Sequence, residues 1–533
     1  MEGIVVCPET PAVEAGRRIF AMGGNAIDAA VATALAQGVT NPLGCGIGGL
    51  AFIQVYSASH DVCLYLNASV AIGSASDGGR FLPGLFGRSE RVGRYLVEGD
   101  PNQMGYASIM SPGFIAGLGE LAARFGSGRV TWQDMVEPAA ALATDGFQIY
   151  PYLKTYYTFE GPDRPGYPDI FRKLSADSRA AALYLPRGQV PQVGDRLQQR
   201  ELGTTLRRIA RGGPEEFYRG GIAGEIVADF VAHDAPVTAA DLVSYTVSTE
   251  MPIVVRWRDL EFQASPPPSH GAILLAMLQA VEDLDFTRLE FNSPVYIDVL
   301  ARVTNRAFAD GIGVLADPAF AVVPVEQLLS RSRARAVTAS LARAEAGIYG
   351  GGEGHTTHVT AADSDRNVVA ITHSIGSITG AGVMTPALGF LYNNFLGHFN
   401  PRPGYRDSIV AGKRVGGGCP TIVFRNGRPI FAIGSSGGSR LISAVFQTIL
   451  NVFVHRMDPQ SAVAAPRFHC EQDGRLYLEP TFPPATVEAL RRRGYEIVPA
   501  HYMGCNQAVH MADGGLAGGS DPRGGIGIAV HRP

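Results

Sequence analysis

The most restrictive stretch of the chain runs from Gly352 to Ser374, GEGHTTHVTAADSDRNVVAITHS. Thr356 and Thr357 sit between His355 and His358. Upstream lies a small-residue run with Gly347, Gly350, Gly351, Gly352 and Gly354. Downstream, HVTAAD and VVAITHS flank a polar turn, the pattern of two paired strands. A segment with little structure of its own therefore runs straight into a strand that opens on two hydroxyls. A threonine hydroxyl is a weak nucleophile unless a base sits beside it. One solution places the threonine at a chain terminus, where its own α-amino group, with a pKa of about 8, takes the proton. The chain must then cut itself before Thr356. A linker followed by an ordinary strand with a threonine pair fits the same pattern.

The 533 residues are 46% hydrophobic and 18% charged, ordinary globular composition with material for a large core. Net charge is −4 and no basic run occurs, which argues against nucleic acid. Cys7, Cys45, Cys63, Cys419, Cys470 and Cys505 are scattered without a CxxC pair, so free thiols in a reducing compartment are expected. The start, MEGIVVCPETP, has neither a basic nor an apolar signal region, and no long apolar run spans a membrane. A cytoplasmic location is the expectation.

Residues 24–39 read as a helix, with Asn25 as N-cap and Gly38 at its end. Residues 51–57 and 62–69 read as paired strands, and 113–125 and 132–144 as helices. Residues 252–265 read as a hairpin turning near Arg258 and Asp259, and a long helix follows around 293–312. From Thr356 onward short strands dominate, with helices near 438–456 and 483–493. Strands alternating with turns and then covered by helices predict stacked sheets with helical layers.

Other motifs compete with the threonine. Gly44-x-Gly46-x-x-Gly49 matches a dinucleotide fingerprint, but a helix precedes it and a strand follows, the reverse of the required order. A tight glycine turn is the expected role. His355, His358 and His373 suggest a metal. No glutamate completes the helical zinc motif, and strand geometry turns His355 and His358 to opposite faces, so hydrogen-bonding histidines are expected. Gly434-x-Ser436-x-Gly438 fits a nucleophile elbow between strand and helix, with Asp458 and His469 or His501 as partners. Too little chain follows it for that fold. The alternative is that Gly437 and Gly438 present peptide N–H groups as an oxyanion hole.

The motifs GGNAIDAAVATAL, GIGGLAFIQVY, SPGFIAGLGEL, SPPPSHGAILLAMLQ, TTHVTAADSDRNVVAIT, LGFLYNN, CPTIVF, GSSGGSR, APRFH and SDPR occur in one order along nearly the whole chain. In this the sequence resembles the gamma-glutamyltranspeptidase family of N-terminal-nucleophile hydrolases. The resemblance implies an α+β fold, a four-layer αββα sandwich. It implies a proenzyme cut between His355 and Thr356 into halves 1–355 and 356–533 that stay associated as one domain. Thr356 matches the nucleophile. Ser374 matches a threonine that hydrogen-bonds it, and Gly437 and Gly438 match the oxyanion-hole glycines.

The family's pocket for the glutamyl head is not matched. Asn67 stands where an arginine holds the α-carboxylate, and His398 where an acid holds the α-ammonium. Phe395 replaces a glutamine, Gly376 an asparagine, and Gly416 and Gly417 a pair of serines. His373 and His398 remain as groups able to meet a carboxylate. The expectation is an autoprocessing amidohydrolase or acyltransferase with an acyl-threonine intermediate, acting on a small-molecule amide other than a gamma-glutamyl one. Water or an amine is the acceptor, with no cofactor, no metal, no nucleic acid and no membrane partner. True gamma-glutamyl hydrolysis or transfer, and an uncut inactive homologue with a binding role, stay open.

Overall fold

The computed structural model describes residues 2–89, 94–159, 167–340, 355–470, 474–512 and 515–532. The glycine-rich stretch before the threonine pair lies outside these residues, as does the side chain of His355.

In chain order, the two large sheets use β1 (Gly3–Cys7), β2 (Leu50–Ser57), β3 (Val62–Ala68), β4 (Ser248–Glu250), β5 (Ile253–Trp257), β6 (Leu260–Ala264), β7 (His355–Asp363), β8 (Val368–Gly376), β9 (Thr421–Arg425), β10 (Arg428–Ser436), β11 (Cys505–Ala512), β12 (Gly515–Ser520) and β13 (Gly527–His531). The first sheet runs β13-β1-β7-β8-β2-β3-β4 and the second β12-β11-β10-β9-β6-β5. Both sheets draw strands from either side of residue 355. The hairpin expected from the TTHVTAAD stretch is β7 with β8, antiparallel, with Val359 opposite Ile371.

Strand alternation gives each sheet two apolar faces, and each face needs a cover. On one side Val359, Ile371 and Ile53 pack with residues of α1 (Thr10–Ala21), α2 (Ala26–Thr40), α3 (Phe114–Phe125) and α4 (Trp132–Asp145). On the far side Phe262, Val423, Phe431 and Ile433 pack with α5 (Gly271–Ala280), α6 (Pro294–Gly311) and α7 (Arg440–Phe453). Between the sheets, Ile4, Val6, Ala362 and Val368 meet Ile422, Ala432 and Val509. The result is the expected four-layer αββα sandwich.

α2 is buried along its whole length. Asn25 caps it as expected, accepting from the N–H groups of Ile27 and Asp28 while Asp28 answers the Asn25 N–H. Gly38 does not end it. The helix continues to Thr40, and a Cβ on Gly38 would lie 3.3 Å from the Gly46 α-carbon. The glycine serves close approach of the Gly44–Gly49 turn rather than termination. α7 also starts later than expected, because Gly437 and Gly438 hold left-handed backbone, φ 124° and 60°. Among the described residues no helix is long and apolar enough to cross a membrane.

Arg467 and Asp521 form an ion pair with almost no exposure. Arg467 also donates to the carbonyls of Met503 and Gly504, and Asp521 accepts from the Asn506 N–H at 2.9 Å. The pair thus fixes the entry into β11. Removing one partner leaves buried charge with less compensation. Arg467→Leu is expected to lower stability by on the order of 3 kcal/mol, read as a lower denaturant midpoint. An unchanged midpoint would remove this anchor from the account.

Candidate active site

The pairing of β7 with β8 is irregular at its start, with one extra residue on β8. Thr357 pairs with His373 and His355 with Gly376, so Thr356 lies across from the Ser374–Ile375 step of β8. Thr356 is half-buried, whereas Thr357 and His358 have no exposure. Ser374 is buried on the neighbouring strand, and its hydroxyl accepts from the Gly376 N–H at 2.9 Å. The register therefore brings Ser374 beside Thr356 without any long-range loop.

β10 of the second sheet lies against β7. A Cβ on Gly434 would sit 2.1 Å from the His358 ring, so the imidazole rests on bare backbone. The His358 ring nitrogens meet the hydroxyls of Thr372 at 2.8 Å and Thr360 at 3.0 Å. Gly437 and Gly438 leave the end of β10 with positive φ, which only glycine adopts cheaply, and a Cβ on Gly437 would strike the Gly504 α-carbon at 2.7 Å. The elbow reading of Ser436 does not hold. Its hydroxyl is buried on the Tyr502 hydroxyl at 2.8 Å, His469 bonds Ser443, and Asp458 caps the helix that starts at Pro459.

Behind the threonine pair lies a polar group that the sequence did not flag. Glu9 is fully buried. Its carboxylate accepts from Thr357 Oγ1 at 2.8 Å, Asn41 Nδ2 at 2.8 Å and Gln37 Nε2 at 2.5 Å. Burial pushes its pKa up, against those three donors. Gln37 Nε2 also donates to Thr357 Oγ1 and to the His358 carbonyl, which leaves Gln37 Oε1 to accept from His373 Nε2 at 3.0 Å. The legible signal was a lone amide in the apolar run of α2 and an acid just after the apolar strand in MEGIVVCPETP.

The expected pocket residues separate. Phe395 joins Leu50, Phe52 and Val415 in a small apolar cluster. His398 lies beside it, ring centres 5.7 Å apart. Gly417 faces the Phe52 ring, its Cβ position 3.2 Å away. Gly376 and Gly416 are filled from outside: a Cβ would lie 2.2 Å from Asn394 Oδ1 at the first and 1.8 Å from the Pro268 carbonyl oxygen at the second. Two expectations are corrected. His373 is no substrate contact, because alternation turns it away from Ser374 into the helix layer, where it is buried on Gln37 and under the Phe114 ring. Asn67 is spent on its own surroundings, donating to Glu250 at 3.2 Å and accepting from the Ser69 N–H at 3.2 Å.

At His398 the electrostatics are reversed from an acid site. Arg94 is buried and places Nη2 3.5 Å from His398 Nε2, while its Nη1 donates to Gln103 Oε1 at 2.7 Å. Burial and then the Arg94 charge hold His398 neutral, its pKa well below the ordinary histidine value. Arg94 carried no sequence signal. Among the described residues, no group of three histidines, cysteines or acids is arranged to hold a metal ion.

A profile of the family described as Gamma-glutamyltranspeptidase matches residues 12–530. The chain belongs to that family. It is a hydrolase or transferase of the N-terminal-nucleophile class. Acylase ACY 1 proenzyme of Pseudomonas sp. (strain V22) is 37% identical over 530 residues, 97% of this chain and 91% of the relative. Glutathione hydrolase proenzyme of Escherichia coli (strain K12) is 29% identical over 553 residues, 98% and 90% of the two chains. The crystal structure of cephalosporin acylase from Bacillus halodurans superposes with a TM-score of 0.86 at 28% identity, covering 99% of this chain and 95% of that one.

Burial lowers His358 and His373 to pKa values of about 3. The folded protein keeps both neutral, while the unfolded chain binds protons below about pH 6.5. Stability is therefore expected to fall as pH drops from 6.5 towards 3. Each such histidine contributes at most about 1.4 kcal/mol per pH unit. In His358→Gln the plot of denaturant-derived stability against pH should be shallower by one proton; an identical slope refutes the assignment.

Proposed function

We propose that the protein cuts itself between His355 and Thr356 and then cleaves a small amide through an acyl-Thr356 ester. The acyl part of that amide lacks the charges of a gamma-glutamyl head. One observation carries the choice of substrate. Where the family places an acid for an ammonium group, this chain has neutral His398 beside the Arg94 guanidinium. A neutral imidazole offers an ammonium ion no opposite charge, and an ion left unpaired in a desolvated place is strongly disfavoured. The sealed glycines at 376 and 416 leave no room for the family's asparagine and serine side chains. The acylase relatives at 37% and 36% identity support the same reading.

The chemistry runs in two rounds. Thr356 Oγ1 attacks the His355 carbonyl carbon, the peptide C–N bond breaks, and the Thr356 nitrogen takes the hydroxyl proton. Water hydrolyses the resulting ester, freeing the His355 carboxylate and the Thr356 hydroxyl beside the amine already released. That amine then takes the hydroxyl proton as Thr356 attacks a substrate amide, and the proton passes to the leaving amine. Peptide N–H groups at Gly437 and Gly438 stabilise the oxyanion, each contributing about 3 kcal/mol to lowering the barrier. Ser374 orients the nucleophile. Water or a second amine accepts the acyl group. The halves 1–355 and 356–533 stay together because each supplies strands to both sheets. We place the protein in the cytoplasm, on the support of six buried free thiols.

Gamma-glutamyl hydrolysis is the second reading, favoured by the glutathione hydrolase of Pseudomonas aeruginosa at 30% identity. Intact mass under denaturing conditions is expected to give two fragments meeting at His355/Thr356. Thr356→Ala should give one full-length mass and no turnover; turnover by this variant removes the nucleophile from the mechanism. A panel of p-nitroanilides then separates the readings. Gamma-glutamyl p-nitroanilide is expected at least a hundredfold below the best apolar or carboxylated acyl anilide in kcat/KM. Parity would hand the site to the second reading. A single mass and no turnover in the wild-type protein would mean an inactive homologue.

A further inference from the structure

Glu9 is a buried carboxylate that the chemistry above does not use. Among the described residues no basic side chain pairs with it; the side chains that donate to its oxygens are the neutral Gln37, Asn41 and Thr357. A buried charge held this way is a poor device for stability, since a neutral side chain of the same shape avoids the desolvation cost. Its place suggests another use. Thr357 follows the nucleophile directly, and Gln37, bonded to Glu9, also reaches the His358 carbonyl at 3.3 Å. In the other direction Asn41 Nδ2 donates to the Tyr156 hydroxyl at 3.0 Å, and Tyr156 donates to Tyr152 at 3.2 Å. Tyr152 lies near Tyr502, and Tyr502 meets the hydroxyl of Ser436, the residue before Gly437. Glu9 therefore stands midway in one run of neighbouring polar groups. One end holds the nucleophile strand in the first sheet. The other holds the glycine turn at the end of β10 in the second.

We propose that Glu9 is a positioning residue that registers Thr356 against the Gly437–Gly438 turn through Thr357 on one side and Asn41 and the tyrosines on the other. It touches no substrate, because Thr357 and Thr356 project from opposite faces of β7. The inference rests on Thr356 being the nucleophile and the glycines being the oxyanion donors. A shift of about 1 Å between such groups costs on the order of a hundredfold in rate, while ground-state binding of the acyl part at Phe395 and His398 is left alone.

Glu9→Gln turns one acceptor into a donor facing the Gln37 amide. Two readouts are followed. The first is the first-order rate of cutting at His355/Thr356, by intact mass after cell-free synthesis. The second is kcat per titrated active site on the p-nitroanilide that the wild type cleaves best. Glu9→Gln is expected to slow both at least tenfold with KM within twofold. The exchange Glu9→Gln with Gln37→Glu restores a donor opposite an acceptor and should recover a large part of the loss, which a merely structural defect would not. Where Glu9→Gln is insoluble, Thr357→Val removes only the hydroxyl between Glu9 and β7 and should give the same kcat loss at constant KM. Wild-type cutting and kcat in Glu9→Gln, or in Thr357→Val in its place, overturn the proposal, as does a lack of recovery in the exchange. If Thr356→Ala still turns over, the nucleophile reading fails instead, independently of Glu9.

Discussion

β7 is gripped on both faces, and the site depends on that. One face lies under α2 and the other on β10, so every polar side chain it carries must find a partner inside the protein. Thr357 finds Glu9 and Gln37; His358 finds Thr372 and Thr360. These bonds leave the strand little freedom to slide or rotate. Thr356, at the bulge where pairing is interrupted, is the half-buried member of the pair. A nucleophile needs this combination, with backbone held by its neighbours and a hydroxyl at the edge of the packing.

The acyl pocket is a different kind of construction. Its losses relative to the family are not gaps. Asn394 fills the space at Gly376, the Pro268 carbonyl closes on Gly416, and Phe52 covers Gly417. Arg94 and a neutral His398 stand where the family has a negative group. Packing and electrostatics change together, which is how a retained reaction is moved to a new acyl group: specificity comes from what the site rejects as well as from what it holds.

Much of the machinery was legible because it is local. The hairpin of β7 and β8 follows from alternating apolar residues about a polar turn, and it alone sets Ser374 beside Thr356. The Asn25 cap and the glycine turn after β10 are likewise short-range patterns. Gly38 misled because glycine stops helices in isolation, whereas here the Gly46 backbone packs against it. Glu9 and Arg94 were silent because their partners lie far along the chain. Glu9 meets Thr357 across a separation of 348 residues, and Arg94 meets His398 across 304.

The sequence by itself determined the family, the layered α+β architecture, the threonine proposed as nucleophile with its hydroxyl neighbour, and the absence of the charged pair that binds a glutamyl head. Those properties reside in residue types at short spacing, where hydrophobic period and backbone preference act directly. Only the tertiary structure decided which histidine faces the site and which faces the helix layer, and which side chains occupy the space of the missing contacts. It alone decided that the Glu9 carboxylate is buried against Thr357. Such properties depend on which distant groups meet once water is excluded, and burial then sets both the charge and the hydrogen-bond partner of each group.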